Sequence, residues 1–433
     1  MAGASHAAAY RRIGPDGVRR PDRLATAALC LSVIIVLGVL LRLAVYAVLP
    51  DQPASDYVAY LTIAENIHDG EGIQEGYNKA FLSPGYPMLM GAMFMLTGKS
   101  LFAAHMLNIA LAALTLLMVA FIGSRVFGSP LAGLAGALIW ACYLESIIYS
   151  DLLARENLAL PLFAIIIIVA LLIQEGRAML PAAAVGGAAA AAIALSGASG
   201  LAIVPVMWLA LAIAPGSRGR RIAGFLLMTG IMTALLVPWL YRNFLIFGHP
   251  VLNTNGGFNL WIGNNPNATG HFISITDTPL GPGWQDRRMS EGEYATDRLC
   301  GEMARQWILA NPVTAFWLAL RKLWLFWTLP PFATDPGTPV GLLEGLMRRI
   351  TLAQYVGIVA LAVYATVAAA WRRNWLVVPL VLAVLLYMGI HGIYYVMPRY
   401  RLPATLLLAI LAGGAVQMLL ARYWPSLARR LPE

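Results

Sequence analysis

The sequence has few charged residues and few cysteines, and each shortage excludes a class of protein. Asp, Glu, Lys and Arg make up only 12% of its 433 residues, whereas 59% are hydrophobic. Soluble domains do not have this composition. The three cysteines, Cys30, Cys142 and Cys300, lie far apart and show no spacing typical of a metal site or a disulfide framework. We therefore expect a polytopic membrane protein and predict no cofactor, since no spacing supports a divalent metal.

The formal net charge is +9, which in a soluble protein would suggest a nucleic-acid partner. Here the basic residues collect at the ends of apolar runs, so orientation in the membrane explains them better, and we predict no nucleic-acid partner. The basic segment 1–23 precedes the apolar run 24–49. That run far exceeds the apolar part of a signal peptide, about 7–15 residues, which predicts an uncleaved transmembrane helix after a cytoplasmic tail.

Apolar runs of about 20 residues, the length that crosses a bilayer, predict about ten transmembrane helices. They lie near residues 24–49, 101–123, 129–149, 157–174, 179–197, 200–215, 222–246, 350–371, 375–394 and 402–421. The fold class expected from this pattern is an all-α polytopic membrane protein.

Two shorter segments, 85–98 and 313–330, are expected to be helices at the outer interface. If 85–98 crossed the membrane, the arginines at 218–221 would face outside, against the positive-inside rule. The aromatic segment 313–330 combines tryptophans with Arg321 and Lys322, as interfacial helices do. Whether it crosses stays open from the sequence, because a crossing would agree with one later pair of arginines and disagree with another.

This topology divides the chain into four parts. They are a cytoplasmic basic N-terminus (1–23), an N-terminal transmembrane module with the outer loop 50–100 (24–246), an outer loop region with interfacial helices (247–349) and C-terminal transmembrane helices (350–433). Short turns at 150–156 and 395–401 also face outside, and most of the acidic residues gather on that side.

The first outer loop contains six carboxylates within residues 51–87. Ser55 and Asp56 precede apolar residues at helical spacing, so a short amphipathic helix is expected to begin near Asp56. Asp56 then either caps this helix or takes part in chemistry. Lys79 is one of only three lysines in the chain and lies just before the turn Ser83-Pro-Gly-Tyr-Pro87.

Two further outer turns carry charge. Glu156, in the turn 150–156, is either a solvated helix-end charge or part of a site facing the first loop, and the deeper Glu145 favours the second interpretation. Arg399 and Arg401 break the positive-inside pattern. They either reach from the interface to water or form an anion site, because guanidinium groups bind phosphate in a fixed fork.

In this order and spacing, the motifs resemble those of the GT-C integral-membrane glycosyltransferases that use polyprenyl-phosphate sugars, in the branch of the protein O-mannosyltransferases and the lipid A aminoarabinose transferase. The resemblance covers nearly the whole chain. It rests on Arg42, on SDY (55–57), SPGYP (83–87) and ARENL (154–158), on the stretch YRNFLIFGHPV to NGGFNLWIGNNPNATG (241–270), and on PRYRLP (398–403).

The resemblance implies a GT-C fold with about ten transmembrane helices, a catalytic module at 24–246 and a role for each of several residues. Asp56 would be the catalytic base and Glu156 a second acid of the site. The donor phosphate would be bound by Arg399, with Arg401 and Lys79 assisting. Substrate-binding residues would be Tyr57, Tyr86, Asn259, Asn264 and Tyr400.

The function expected is transfer of a monosaccharide from a polyprenyl-phosphate donor to a lipid-linked glycan, polysaccharide or protein acceptor, by inverting displacement. The enzyme would work in the cell envelope, at the periplasmic face of a bacterial inner membrane. Two alternatives remain: an O-antigen ligase or polymerase with a diphosphate-linked donor, and a membrane transporter. A transporter would show inverted repeats and charges near the midplane, whereas here the charges crowd one face.

Overall fold

The computed structural model describes residues 20–48, 53, 55–329 and 341–428, and in these ranges the chain forms helices and no β-strand. The predicted tail 1–23 lies almost entirely outside the described residues. The first ten helices are α1 (Arg20–Val48), α2 (Asp56–His68), α3 (Gly85–Thr97), α4 (Leu101–Phe127), α5 (Pro130–Ala141), α6 (Leu144–Asp151), α7 (Glu156–Gln174), α8 (Met179–Ser196), α9 (Pro205–Ile213) and α10 (Arg218–Phe247). The others are α11 (Gly256–Gly263), α12 (Trp284–Glu291), α13 (Glu293–Ala310), α14 (Pro312–Thr328), α15 (Leu342–Trp371), α16 (Val378–Ile393), α17 (Leu402–Tyr423) and α18 (Pro425–Ala428).

Eight helices of the described chain are long and apolar enough to cross a membrane by length and composition, and a bent pair and a shorter apolar helix account for the other two predicted runs. They are α1, α4, α7, α8, α10, α15, α16 and α17, the last two with their preceding 3₁₀ turns. The run predicted at 200–215 is a shorter apolar helix, Ala198–Ile213, which begins as a 3₁₀ turn. The run predicted at 129–149 is a broken span, so the total is nine if that span counts once.

The broken span consists of α5 and α6, which meet at an angle of 58°. A bend in lipid leaves backbone groups without partners unless another helix supplies them. Gln354 of α15 does so: its Oε1 accepts from the Leu144 amide at 2.9 Å, and its Nε2 donates to the Cys142 carbonyl at 2.8 Å.

The two ends of the bundle carry different groups. At one, the basic end, Arg125 Nε donates to Glu175 at 2.8 Å and Asn374 bonds to the last turn of α4. At the other, the loop end, α2 and α3 pack together, and Gly85 lies so close to α8 that a Cβ would approach the Leu195 backbone to 2.9 Å. The segments 85–98 and 313–330 are helical as predicted, as α3 and α14, and neither is a candidate span.

α17 is one of the two most buried of the candidate spans, and small residues let it pack tightly. A Cβ on Gly413 would lie 2.3 Å from the Ala132 carbonyl oxygen of α5, so only glycine permits this approach. The chain enters α17 through a 3₁₀ turn, Pro398–Arg401, at the loop end. The centre of the bundle therefore holds this arginine-bearing turn in a fixed position.

Candidate active site

The site is built around Arg399, which contacts acidic residues from two distant parts of the chain. Its Nη2 donates to Asp56 Oδ2 at 2.8 Å, and its Nε lies 4.0 Å from Glu156 Oε1. Asp56 is the first residue of α2, whereas Ser55 holds the N-cap position without a side-chain cap. The carboxylate of Asp56 thus pairs with Arg399 across 343 positions instead of capping its own helix.

Glu156 is deeply buried, and only part of its hydrogen-bonding capacity is used within the described residues. It is the first residue of α7 and is 4% exposed. Its Oε1 lies 3.8 Å from Arg155 Nε, and its Oε2 has no hydrogen-bond partner among the residues that the structure describes. A buried carboxylate oxygen without a partner is costly. This atom is therefore a point at which a ligand group would gain a hydrogen bond.

Two tyrosines complete the surroundings of Arg399. Tyr57 follows Asp56 in α2 and hydrogen-bonds to Arg399, and burial raises the pKa of this phenol above its ordinary value although the guanidinium opposes the effect. The Tyr400 ring lies with its centroid 5.6 Å from the Arg399 Cζ. The side chain of Arg399, itself 15% exposed, is thus fixed by two acids and two aromatic rings.

A cavity of about 110 Å³ adjoins this cluster. Its lining includes Ser83, Arg155, Asn255, Asn259, His391 and Tyr400. Small-molecule sites combine apolar walls with a few placed polar groups, and the lining of this cavity has both. Of the predicted substrate-binding residues, Asn259 and Tyr400 line this cavity, and Tyr57 lies beside Arg399.

Arg401 does not join Arg399. It is 2% exposed, its Nη1 donates to the Leu329 carbonyl at 2.7 Å, and its guanidinium lies over the Tyr355 ring at 4.1 Å. Its Nη2 is 3.9 Å from Glu145 Oε2. Both buried charges therefore compensate each other inside the bundle, and neither Arg401 nor Glu145 contacts the Asp56 cluster.

Three other predicted residues also point elsewhere. Lys79 Nζ donates to Gln74 within its own loop. Tyr86 is fully buried and donates to Asn108 Oδ1 at 2.8 Å. Asn264 accepts from Lys322 Nζ at 3.0 Å. Each holds loops or helices together at the loop end, and the sequence motif alone cannot separate that role from substrate contact.

Two residues outside the predicted set enter the site. Arg155 lies next to Glu156 and lines the cavity, and the charged turn 150–156 gave a signal for it. His391 lines the cavity from α16 and is 3% exposed. A histidine within an apolar span is itself a functional signal. No group of three or more His, Cys, Asp or Glu suited to a metal ion occurs within the described ranges.

Comparison with known proteins concerns the fold. No family model matches the sequence, and no curated protein does. The archaeal oligosaccharyltransferase AglB from Archaeoglobus fulgidus, solved in complex with an inhibitory peptide and a dolichol-phosphate, is similar over 94% of this chain, with a TM-score of 0.56 and 11% identity. The chain has the GT-C fold. The predicted all-α membrane architecture is thereby confirmed.

The likeness to these proteins is one of fold, and it covers only part of the length of AglB. The chain covers 52% of AglB, about half of that protein's length. ArnT from Cupriavidus metallidurans, solved with undecaprenyl phosphate bound, is similar over 93% of this chain and 80% of its own, with a TM-score of 0.43 and 13% identity. At such identities a structural likeness establishes the fold, and the activity has to be argued from the site.

Proposed function

We propose that this GT-C protein is a glycosyltransferase that moves a monosaccharide from a polyprenyl-phosphate donor to a hydroxyl of a lipid-linked glycan, polysaccharide or protein. The reaction would take place at the periplasmic face of a bacterial inner membrane. The observation that carries the proposal is the meeting of Arg399 with Asp56 and Glu156 at the loop end. The dolichol-phosphate bound to AglB, whose fold this chain shares, supports a lipid-phosphate ligand.

Donor binding starts from the ion pair of Arg399 and Asp56. Arg399 makes one hydrogen bond of 2.8 Å to a single carboxylate oxygen of Asp56. A phosphate offers the guanidinium several charged oxygens and can accept two parallel hydrogen bonds. The phosphate would take the place of Asp56 on Arg399. The freed carboxylate then faces the exposed side of the site, since Asp56 is 37% exposed.

The chemical step is a displacement at the anomeric carbon. The acceptor hydroxyl oxygen forms a bond to this carbon while the bond from the carbon to the phosphate oxygen breaks, and the polyprenyl phosphate leaves with the bonding electrons. Asp56 takes the hydroxyl proton. Arg399 stabilises the charge that develops on the leaving phosphate. Attack opposite the leaving group inverts the anomeric configuration.

Glu156 acts in this scheme as a positioning residue. Its Oε1 lies 4.0 Å from Arg399 Nε and 3.8 Å from Arg155 Nε, so one carboxylate orients two guanidinium groups. Both arginines would otherwise repel each other near the phosphate site.

The test replaces Asp56 by Asn, which keeps the shape and removes the base. In membranes of a deletion strain complemented with each variant, the transfer of labelled sugar from undecaprenyl-phosphate sugars to envelope glycans is measured. We expect Asp56→Asn to lower the rate about 10²–10⁴-fold and to leave binding of undecaprenyl phosphate intact. Asp69→Asn, at the far end of the same helix and paired with Lys99, is the matched control. Undiminished transfer by Asp56→Asn would refute the assignment of the base.

A further inference from the structure

The cavity beside Arg399 contains a buried histidine whose geometry indicates a ligand. The His391 ring stacks on Phe326 and Tyr400, with interplanar angles of 22° and 18°, and meets Tyr387 edge-on at 86°. It hydrogen-bonds to the backbone of Tyr395. Its Nε2 is buried and has no hydrogen-bond partner in the described part of the chain, although His391 lines the cavity.

This unpartnered nitrogen defines the kind of atom that the cavity accepts. In a neutral imidazole that donates through Nδ1 to a carbonyl, Nε2 is an acceptor. The three aromatic rings hold His391 in place, so the acceptor cannot turn away to another partner. A hydroxyl group of a ligand would satisfy it, and an unsatisfied buried acceptor is otherwise destabilising.

The other polar groups of the cavity are neutral or positive. They include Ser83, Ser199 and the side-chain amides of Asn253, Asn255 and Asn259, and Arg155 is the charged residue among them. No Asp or Glu occurs among the described residues that line it. Glu156 lines a second, smaller recess, which shares Arg155 and Ser199 with the cavity. The cavity thus offers many hydrogen bonds to hydroxyl groups and no carboxylate to pair with an ammonium group.

The position of the cavity fits the sugar of the donor. Tyr400 lines it and lies over Arg399, while Arg155 reaches both the cavity and Glu156. In a polyprenyl-phosphate sugar the ring is bonded directly to the phosphate. A phosphate on Arg399 would therefore place the ring next to Tyr400, at the mouth of the cavity.

We propose that this cavity binds the sugar ring of the donor through His391 Nε2 and its amide side chains, and that it selects a hydroxylated sugar, neutral or carboxylated, against an amino sugar. The inference rests on the proposed function, since it takes the donor phosphate to be on Arg399. The discrimination follows from charge: Arg155 lines the cavity and repels an ammonium group, whereas the carboxylate nearest to Arg155, that of Glu156, does not line the cavity.

The experiment measures binding of four probes to the purified protein in detergent: undecaprenyl phosphate and its glucosyl, glucuronosyl and 4-amino-4-deoxyarabinosyl derivatives. We expect the wild type to bind the glucosyl and glucuronosyl lipids at least 10-fold more tightly than bare undecaprenyl phosphate. The amino-sugar lipid should bind no more tightly than the bare lipid. His391→Phe keeps the ring stacking and removes the acceptor, so it should bind the bare lipid normally and lose most of the gain from glucose.

A second variant tests the charge argument by changing the charge of the cavity lining. Asn253→Asp adds an acidic group of the same shape to the lining. We expect it to gain at least 5-fold in affinity for the amino-sugar lipid relative to the glucosyl lipid. Normal binding of the bare lipid by both variants shows that each is folded.

The outcomes separate this inference from the proposed function. If undecaprenyl phosphate does not bind, or binds equally well to Arg399→Ala, the proposed function fails and this inference fails with it. If the bare lipid binds through Arg399 but the sugars add nothing, only the sugar cavity is refuted. The same holds if the amino-sugar lipid binds best to the wild type, or if His391→Phe keeps the full gain from glucose.

Discussion

Arg399 and Arg401 are two positions apart and face opposite surroundings. In a 3₁₀ turn, with three residues per turn, side chains two positions apart diverge by about 120°. Arg399 therefore meets Asp56 at 2.8 Å, while Arg401 turns into the bundle and donates to Leu329 O at 2.7 Å. The sequence predicted an anion site at this pair of arginines and could not separate the two, because the local conformation decides which one reaches Asp56.

The geometry of Arg399 predicts that lysine cannot replace it. A lysine ammonium is a point charge and cannot make two parallel hydrogen bonds to a phosphate. We expect Arg399→Lys to weaken binding of undecaprenyl phosphate about 10- to 100-fold, measured by titration of the purified protein. Arg287→Lys, at an exposed pair with Glu291, is the control and should bind normally. Equal affinities of Arg399→Lys and the wild type would exclude Arg399 as the phosphate ligand.

Lys322 is a buried lysine whose charge state depends on pH. It is fully buried in α14, its Nζ donates to Asn264 Oδ1 at 3.0 Å and to Ile393 O at 3.3 Å, and burial lowers its pKa to about 7. The unfolded chain keeps the ordinary pKa of about 10.4. Between these values the unfolded state binds a proton that the folded state does not, so this group makes stability rise with pH above 7 and lowers it as pH falls towards 7.

The measurement is the apparent Tm in detergent between pH 7 and pH 9. We expect Tm of the wild type to rise more over this range than that of Lys322→Met, because the methionine has similar length and no charge. Lys99→Met, at an exposed lysine paired with Asp69, is the control and should keep the wild-type slope. A slope unchanged in Lys322→Met would show that Lys322 stays protonated in the folded protein.

α14 is amphipathic in a way that places it at the membrane surface. Its exposed large apolar side chains form one stripe: Val313, Phe316, Trp317, Leu320 and Trp324. The opposite side buries Leu318, Lys322 and Phe326 against the protein. An apolar stripe rich in tryptophan with a cation at its edge is typical of a helix lying in the interface.

This arrangement predicts different surroundings for neighbouring positions of α14. In a cysteine-free variant reconstituted in lipid vesicles, a spin label at position 320 should be relaxed more by oxygen than by a water-soluble nickel complex. A label at position 321, on the polar edge, should show the reverse. If both positions favour oxygen equally, α14 is surrounded by hydrocarbon and crosses the bilayer.

At the scale of elements, hydropathy and spacing predicted most helices correctly, because these helices are determined by residues close together in the sequence. α2 begins at Asp56 and α3 at Gly85, as the turn residues indicated. The bend between α5 and α6 depends on Gln354, which is 210 positions from Leu144. Likewise, Glu293 accepts from the amides of Lys79 and Ala80, which fixes the loop that holds Lys79 away from the site. Such distant partners leave no periodic pattern in a single sequence.

At the scale of the whole molecule, the two ends of the bundle differ in chemistry. Arg125, Arg221 and Arg372 lie at or near the basic end, whereas Asp56, Glu156 and Arg399 meet at the loop end. The positive-inside rule predicts that the basic end faces the cytoplasm. The proposed chemistry then takes place on the opposite, periplasmic side. Whether α14 crosses the membrane decides whether the C-terminal helices have the orientation that this requires.

Reporter fusions test this orientation, because alkaline phosphatase is active only outside the cytoplasm and green fluorescent protein fluoresces only inside it. Fusions after residue 217, before α10, should fluoresce, and fusions after residue 283, beyond α10, should show phosphatase activity.

The decisive fusion follows residue 373. If α14 lies at the interface, only α15 crosses between 283 and 373, so this fusion should fluoresce. If α14 also crossed, the same fusion would show phosphatase activity, and α16 and α17 would run in the reverse direction. That direction would carry the turn of Arg399 away from Asp56, contrary to their 2.8 Å contact. Fluorescence of the fusion after residue 373 is therefore the result that the folded site requires.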